Sequence, residues 1–225
     1  MHRCIFILCF SLFSVAPVNA ADPLDAIFAR IDATSKTFKG MTADISNTEH
    51  HSIVPDDDDV STGIIKLLRV KPGLTRLHAD LAGAAGTNIY AIDGAEVRTY
   101  NPKTKILDIY DLSSKQGTIN QFLLLGFGAS SAELKSAYNI TYVGEEKVGE
   151  QPTTHLKLVP KSPEALRTIK QADLWFSTQT GLVARQKLFF GAGDYRLVTY
   201  SNMKLGALQE KDLELKPKDA TVTRH

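Results

Sequence analysis

Apolar and polar residues alternate along most of this chain, and short turn signals separate the alternating segments. From Leu74 to Leu81, Leu77 and Ala79 fall on one face of an extended segment, while the residues between them are polar. A period of two residues is typical of a β-strand that has one face toward a core and the other toward solvent. Turn signals such as Asp93-Gly94 lie between these segments. The pattern therefore predicts a meandering antiparallel sheet of about ten or eleven strands.

Two regions interrupt the alternation with helical signals. Asp22-Pro23 combines an N-cap residue with proline at the first helical position, which predicts a helix that begins at Pro23. A second helical region, at about residues 113–137, is predicted as two short pieces separated by Gly126-Phe127-Gly128. Ser130 and Glu133 have the spacing of a capping box and begin the second piece.

The predicted sheet is large relative to the helices that could cover it. Its last strand is expected from Asp212 to Leu215, and the residues from Asp219 to His225 are expected to be loose. Strand twist accumulates in a sheet of this size and curls it toward a barrel. The predicted fold class is therefore mainly β with helices (α+β): an unclosed antiparallel β-barrel with helices plugging the mouth around an apolar cavity.

The first twenty residues are typical of a secretory signal peptide, with Arg3, an apolar run from Cys4 to Val15 and small residues before position 21. This run is shorter than the roughly 20 residues that span a bilayer. We therefore expect residues 1–20 to be removed on export and residues 21–225 to form a single exported domain. Both cysteines lie in the removed segment, so we expect no disulfide, zinc-thiolate site or cysteine nucleophile.

Charge and motifs give little support to other classes of protein. Without the signal peptide, 25 basic residues balance 25 acidic ones, which favours neither nucleic acid nor an anionic membrane as a partner. Glu49, His50 and the run Asp56–Asp59 have side chains suited to a metal. Because adjacent histidines in a strand point to opposite faces, a solvated hairpin tip is favoured, and a metal-dependent enzyme or hydrolase stays as an alternative. His78 and His155 are expected to face solvent.

The segment Phe122-Leu123-Leu124-Leu125-Gly126-Phe127-Gly128 is apolar on all sides and contains two glycines. It fits either ordinary core or a hinged lid over the cavity. We favour the lid, because glycines absorb backbone changes at little steric cost.

Taken in order, these segments resemble the outer-membrane lipoprotein carrier family, the periplasmic LolA-like proteins. Gly63 through Lys71-Pro72 is similar to the family's strand that ends in Arg-Pro. Ile92-Asp93-Gly94 through Tyr100-Asn101-Pro102 resembles its Asp-Gly…Tyr-Asn-Pro hairpin, and Phe122-Leu123-Leu124-Leu125 falls where the family has its lid helix. Four further segments follow in the family's order: Tyr138-Asn139-Ile140, Leu158-Val159-Pro160-Lys161, Thr180-Gly181-Leu182 and Leu213-Glu214-Leu215-Lys216-Pro217.

The resemblance implies a monomeric carrier that has no enzymatic activity and no cofactor. In the family, the cavity receives the acyl chains of lipoproteins from an ABC-type release complex of the inner membrane and delivers them to an outer-membrane receptor. The same partners are expected here. The family's arginine before the proline holds the lid by hydrogen bonds, and Lys71 stands at that place in this chain. Lysine offers a point charge where arginine offers a planar fork, so three alternatives stay open: Lys71 holds the lid more loosely, Arg69 or Arg76 substitutes for it, or the lid is held in a different way.

Face alternation, the first helix and the lid together predict the lining of the cavity. The expected lipid-binding residues are Phe28, Ile31, Leu67, Leu77, Ala79, Ile89, Ala91, Phe122, Leu124, Leu156, Leu158, Leu174 and Phe176. The expected function is a periplasmic carrier that binds the acyl chains of lipoproteins and ferries them from the inner to the outer membrane. The alternative is a periplasmic binding or sensor protein of the same fold for another lipid or hydrophobic ligand, without lipoprotein sorting.

Overall fold

A computed structural model describes residues 22–54, 56, 58–71, 74–115, 125 and 127–225. These residues form a sheet of twelve strands and three α-helices. The strands are β1 (Gly40–His50), β2 (Asp59–Lys71), β3 (Leu74–Gly83), β4 (Gly86–Asp93), β5 (Glu96–Asn101), β6 (Ile106–Asp111), β7 (Tyr138–Val148), β8 (Gln151–Pro160), β9 (Gln171–Ser177), β10 (Val183–Phe189), β11 (Tyr195–Leu205) and β12 (Thr221–Arg224). The helices are α1 (Pro23–Thr37), α2 (Ser131–Ala137) and α3 (Pro163–Thr168).

The sheet is a single open layer that curls without closing. Its strand order is β12-β6-β5-β4-β3-β2-β1-β11-β10-β9-β8-β7. All neighbouring strands are antiparallel except β12 and β6, which run parallel. β12 and β7 stand at the two ends of this order, so the described strands do not form a closed ring. The expected mainly β fold with an unclosed barrel is confirmed, with twelve strands instead of ten or eleven.

The C-terminal residues differ from the expectation in two places. A strand was predicted from Asp212 to Leu215, but Glu210–Leu213 forms a 3₁₀ turn. The residues predicted to be loose contain β12, which pairs with β6. A strand of only four residues has too short a pattern to be detected by its period, and its formation depends on the partner strand.

The helix termini follow the local sequence signals. The Asp22 side chain accepts a hydrogen bond from the first turn of α1, and Pro23 occupies the start of that turn. Ser130 and Glu133 form the expected capping box at α2. Within the described ranges, no helix has the length and apolarity needed to cross a membrane.

One carboxylate joins α1 to α2. Asp32 accepts hydrogen bonds from the backbone nitrogen and from the Oγ of Ser131, both at 2.7 Å. Partial desolvation raises the pKa of Asp32, but these hydrogen bonds and the charges of Lys36 and Lys135 lower it to a value below its ordinary one. A lowered folded-state pKa stabilises the fold above the unfolded-state pKa, and this stabilisation is lost as the pH falls through the folded-state value.

The main core lies on the face of the sheet that packs against α1, which we call the inner face. From α1, this core takes Ile27, Phe28 and Ile31; from the strands, it includes Met41, Ala43, Leu156, Leu158, Leu174, Phe176 and Leu188. A second apolar cluster lies on the opposite, outer face and consists of Ala91, Leu107, Ile109 and Leu215. Both faces of the sheet therefore bury apolar side chains.

The outer face is less exposed than the alternation predicts. His78 is only 9% exposed, and its Nδ1 lies 3.3 Å from the carbonyl oxygen of Leu213, in the C-terminal segment that crosses this face. His155 stacks on Trp175 with ring centroids 4.2 Å apart, and its side chain is 13% exposed. The expectation that both histidines face solvent was wrong, because neighbouring groups on the outer face cover them.

β2 and β3 approach each other closely at Gly63. This glycine pairs with Leu81 of β3 and with Ile45 of β1. A Cβ added at Gly63 would lie 1.7 Å from the carbonyl oxygen of Asp80. The close approach of the two strands therefore depends on the absence of a side chain at this position.

Gly63→Ala is expected to lower the free energy of unfolding by about 1–3 kcal/mol, because the backbone must shift to accommodate the methyl group. Urea denaturation followed by circular dichroism measures this change. Gly144→Ala is the matched control in β7, since a Cβ there meets no atom within 4 Å, and its effect should stay within about 0.5 kcal/mol. Equal losses in the two variants would contradict the close-approach explanation.

Candidate functional site

A cavity of about 460 Å³ lies on the inner face, bounded by β1–β4 together with β10 and β11. Its volume is within the range of about 300–1,000 Å³ that is typical of small-molecule sites. Leu125 and Phe127, from the connection between β6 and α2, also line it. Phe127 packs edge-to-face against Tyr200, with ring centroids 4.8 Å apart. Part of the predicted lid segment therefore contributes to the wall of the cavity.

The register of the strands arranges the lining residues in rows that run across the sheet. Directly paired residues on neighbouring strands point to the same face, so each row presents a set of adjacent side chains to the cavity. Three neighbouring rows consist mostly of apolar residues, and we call them the apolar rows. The first holds Leu67, Leu77 and Ile92, and the second holds Ile65, Ala79 and Tyr90. The third holds Ile45, Leu81, Asn88 and Tyr200. The polar row holds Asn47, Ser61, Gln186 and Val198, and the charged row holds Glu49, Asp59, Leu188 and Arg196.

The ionisable side chains of the charged row are more exposed than the buried residues of the apolar rows. Leu67 is 2% exposed and Ala79 is 5% exposed. In the charged row, the exposed fractions of the side chains are 35% for Glu49, 46% for Arg196 and 79% for Asp59. The cavity therefore has an apolar interior and meets solvent at its charged end.

Between these two ends, the wall carries buried polar groups. Asn47 is 6% exposed and donates from Nδ2 to Glu49 Oε1 at 3.4 Å, and Arg196 Nη2 lies 2.7 Å from the same oxygen. Gln186 is 9% exposed, and its Oε1 accepts a hydrogen bond from the Tyr200 hydroxyl at 3.5 Å. Burial raises the pKa of Tyr200, against a smaller opposing influence of Arg196, which keeps this hydroxyl protonated.

The predicted site residues divide into groups by their place in the fold. Leu67, Leu77 and Ala79 line the cavity. Six others belong to the adjoining packed core and do not reach the cavity wall: Phe28, Ile31, Leu156, Leu158, Leu174 and Phe176. Phe122 and Leu124 lie outside the described residues.

Ile89 and Ala91 lie on the opposite face from the one predicted. Ala91 belongs to the outer cluster and Ile89 packs against it, whereas their neighbours Tyr90 and Ile92 line the cavity. The turn between β3 and β4 is two residues long and pairs Gly83 with Gly86, so odd-numbered residues of β3 oppose even-numbered residues of β4. This register moves every side chain of β4 to the other face relative to the expectation.

The cavity also contains residues that were not predicted from the sequence. Tyr90, Gln186, Arg196 and Tyr200 line it, although a search for apolar residues overlooks all four. The two-residue turn between β3 and β4 was the available signal for Tyr90. For the polar residues, the period of two in β10 and β11 places them inward but gives no indication that they border a cavity.

The structure distinguishes the three basic residues considered for the latch. Arg69 Nη1 donates to the carbonyl oxygen of Ser35 in α1 at 2.7 Å, and its guanidinium lies over the Phe38 ring at 5.6 Å. A Cβ at Gly128, the last residue of the lid segment, would lie 2.2 Å from Arg69 Nη2. Arg69 therefore joins α1 to the end of the lid segment.

The other two basic residues have different surroundings. Arg76 forms ion pairs with Asp93 and Glu210 and holds the C-terminal 3₁₀ turn against the outer face. Lys71 is exposed, and within the described residues it makes no hydrogen bond or ion pair. A contact between Lys71 and residues 116–124 would lie outside the described ranges.

At the hairpin tip between β1 and β2, where the sequence suggested a metal site, the histidines pair with single aspartates. His50 Nδ1 lies 2.6 Å from Asp58 Oδ1, and its ring stacks on Tyr195 with centroids 4.6 Å apart. His51 Nε2 lies 3.8 Å from Asp59 Oδ2. Among the described residues, no group of three or more histidine, cysteine, aspartate or glutamate side chains converges in the manner of a metal site.

Comparison of the sequence with protein-family models and with curated proteins gives no match. Solved structures do align with it. An uncharacterized conserved protein from Thermus thermophilus covers 91% of this chain and 100% of its own, with a TM-score of 0.57 and 16% identity. MucB, a Pseudomonas aeruginosa protein, covers 91% of this chain with a TM-score of 0.50 and 16% identity, and this chain spans 66% of its length.

A putative outer membrane lipoprotein-sorting protein domain from Vibrio parahaemolyticus also aligns, over 83% of this chain and 94% of its own, with a TM-score of 0.46 and 11% identity. At such identities the likeness concerns the fold alone. The fold that the resemblance implied, an unclosed antiparallel barrel with helices, agrees with the architecture of the described residues.

Arg69→Ala is expected to lower the free energy of unfolding by about 1–2 kcal/mol, because it removes a charge-assisted hydrogen bond and a cation–π contact. Backbone amides of residues 127–129 should also exchange faster with deuterium, since Gly128 lies beside the guanidinium. Lys71→Ala is the control and should change stability by less than about 0.5 kcal/mol. Faster exchange of residues 127–129 in Lys71→Ala alone would assign the latch to Lys71 instead.

Proposed function

We propose that this protein is a periplasmic carrier that binds the acyl chains of lipoproteins in its inner-face cavity and ferries them from the inner to the outer membrane. The observation that carries the proposal is the cavity itself: three successive rows of mostly apolar side chains that lead from a charged, solvent-exposed end into the interior. An amphiphile with an apolar tail and a polar head has the same order of groups.

The length of the cavity supports an acyl chain as the ligand. From Ser61 in the polar row to Leu67 in the last apolar row, β2 advances six residues, which is roughly 20 Å in an extended strand. One acyl chain spans half of the bilayer's hydrocarbon core, or about 15 Å. The polar row and the apolar rows together therefore have enough length for one extended chain, and the apolar rows alone, from Gly63 to Leu67, supply about 13 Å of it.

The energetics explain why a carrier would be required. Each buried methylene contributes roughly 0.8 kcal/mol, so a chain of 16 carbons loses on the order of 12 kcal/mol of favourable burial when it leaves a membrane for water. An apolar cavity compensates for this loss during transfer. The cost of displacing Leu125 and Phe127 from the cavity would lower the net affinity and favour release.

The remaining parts of the proposal concern compartment and partners. We expect residues 1–20 to direct export and residues 21–225 to work in the periplasm as one domain and as a monomer. An ABC-type release complex of the inner membrane would supply the lipoproteins, and an outer-membrane receptor is a candidate acceptor. The carrier itself needs no cofactor and catalyses no reaction.

The size of the cavity favours one other candidate function. A volume of about 460 Å³ and a length sufficient for one chain suit a ligand with a single acyl chain, whereas a lipoprotein carries more than one. A binding or sensor protein for another lipid, without lipoprotein sorting, is therefore the second candidate.

A release assay separates the two candidates. Spheroplasts of the source bacterium would be incubated with the purified protein, and the soluble fraction would be analysed by native mass spectrometry and by lipoprotein immunoblot. Soluble complexes of the protein with intact lipoproteins support the carrier. Complexes with free lipid alone would replace it with the second candidate, and the absence of any hydrophobic ligand would refute both.

Ala79→Phe is expected to reduce binding of a fluorescent acyl probe by about tenfold or more, because the added ring occupies the middle of the apolar rows. The fold should tolerate the change, since the new side chain enters a cavity instead of a packed core. Ala82→Phe is the matched control on the same strand, where the alanine is exposed. Fluorescence titration measures both, and equal affinities of the two variants would contradict the assignment of the cavity.

A further inference from the structure

We propose that the charged end of the cavity selects ligands by head group, accepting an acyl chain attached to an uncharged, oxygen-rich head such as glycerol and disfavouring an anionic one. This inference rests on the proposed acyl-chain site and adds the chemical class of its head group. It follows from the charges and the buried polar groups in the last two rows of the lining.

Negative charge exceeds positive charge in the charged row. Its ionisable residues are Glu49, Asp59 and Arg196. The guanidinium of Arg196 is paired with Glu49 at 2.7 Å, so its charge is already balanced within the row. The carboxylate of Asp59 has no lysine or arginine partner among the described residues, and its nearest basic group is Nε2 of His51 at 3.8 Å.

The surroundings of this row add further negative charge. Asp58 lies at the same hairpin tip, 2.6 Å from His50 Nδ1. Asp194, just before β11, accepts hydrogen bonds from the backbone nitrogen and from the Oγ of Ser52 at 2.8 Å each. These hydrogen bonds lower the pKa of Asp194 and keep its carboxylate ionised. The nearest additional cation on β10, Lys187, lies over the rings of Phe189 and Tyr195 on the outer face.

The polar row supplies neutral hydrogen-bonding groups directly inside the charged row. Gln186 is about nine-tenths buried and faces the cavity. Within the described residues its one hydrogen bond joins its Oε1 to the Tyr200 hydroxyl, so both hydrogens of its amide group are left for a ligand. Ester carbonyl and hydroxyl oxygens of an acylglycerol are acceptors of the matching kind.

An anionic head group would be repelled at the charged end of the cavity. A carboxylate or phosphate would approach Asp59 as a like charge, and the guanidinium that could compensate is already paired. A neutral head avoids this repulsion and can still use the amide donors of Gln186. The two classes of ligand should therefore differ in affinity even when their acyl chains are identical.

The test compares two ligands of equal chain length, 1-monopalmitoylglycerol and palmitate, in competition with a fluorescent acyl probe at pH 8 and low salt. The expected result is that the glycerol ester binds at least about tenfold more tightly. Added sodium chloride should narrow this difference, because salt screens exposed charges. Equal or tighter binding of palmitate would overturn the inference while leaving the acyl-chain site in place, whereas no binding of either ligand would refute the proposed function.

A variant that neutralises one charge of the charged row tests the same head-group selection by changing the protein instead of the ligand. Glu49→Gln removes one carboxylate and releases Arg196 from its ion pair, so palmitate affinity should rise several-fold and the preference for the glycerol ester should shrink. Glu150→Gln is the matched control, since it removes one exposed carboxylate at the turn between β7 and β8. An unchanged ligand preference in Glu49→Gln, or the same change in both variants, would contradict selection by the charged row.

Discussion

The whole arrangement depends on the burial of the inner face of one curled sheet by few helices. In one half of the sheet, α1 and α2 cover the strands, and Leu156, Leu158 and Leu174 have no exposed surface. In the other half, the described cover consists of Leu125 and Phe127, and a cavity of about 460 Å³ is left above β1–β4. The same alternation of side chains thus forms a packed core in one half and an apolar cavity in the other.

This division explains which parts of the site could be predicted from the sequence. Alternation correctly placed Leu77 and Ala79 on the inner face, because a period of two within one strand is a local property. It could not indicate whether an inward residue meets a helix or a cavity, so Leu174 and Leu77 received the same prediction. Ile89 and Ala91 were assigned to the wrong face because both faces of β4 are apolar, and only the register set by the turn to β3 decides between them.

The basic residues near the lid show a similar limit. The sequence resemblance pointed to Lys71, with Arg69 and Arg76 as substitutes. The register of β2 against β3 shifts between Arg69 and Lys71, and such a shift changes the direction in which the neighbouring side chains point. Arg69 consequently reaches the carbonyl oxygen of Ser35 while Lys71 is exposed. The residue types were available from the sequence, whereas their directions were decided by the strand pairing.

The central claim is that an acyl chain lies along the apolar rows of the inner face, and photo-crosslinking tests it most directly. A monoacylglycerol with a diazirine at the end of its chain would be irradiated with the protein, and the modified peptides would be identified by mass spectrometry. The account predicts crosslinks in the peptides that contain Leu67, Leu77 and Ile92. Crosslinks confined to the outer face around Trp175, or spread evenly over the surface, would contradict it.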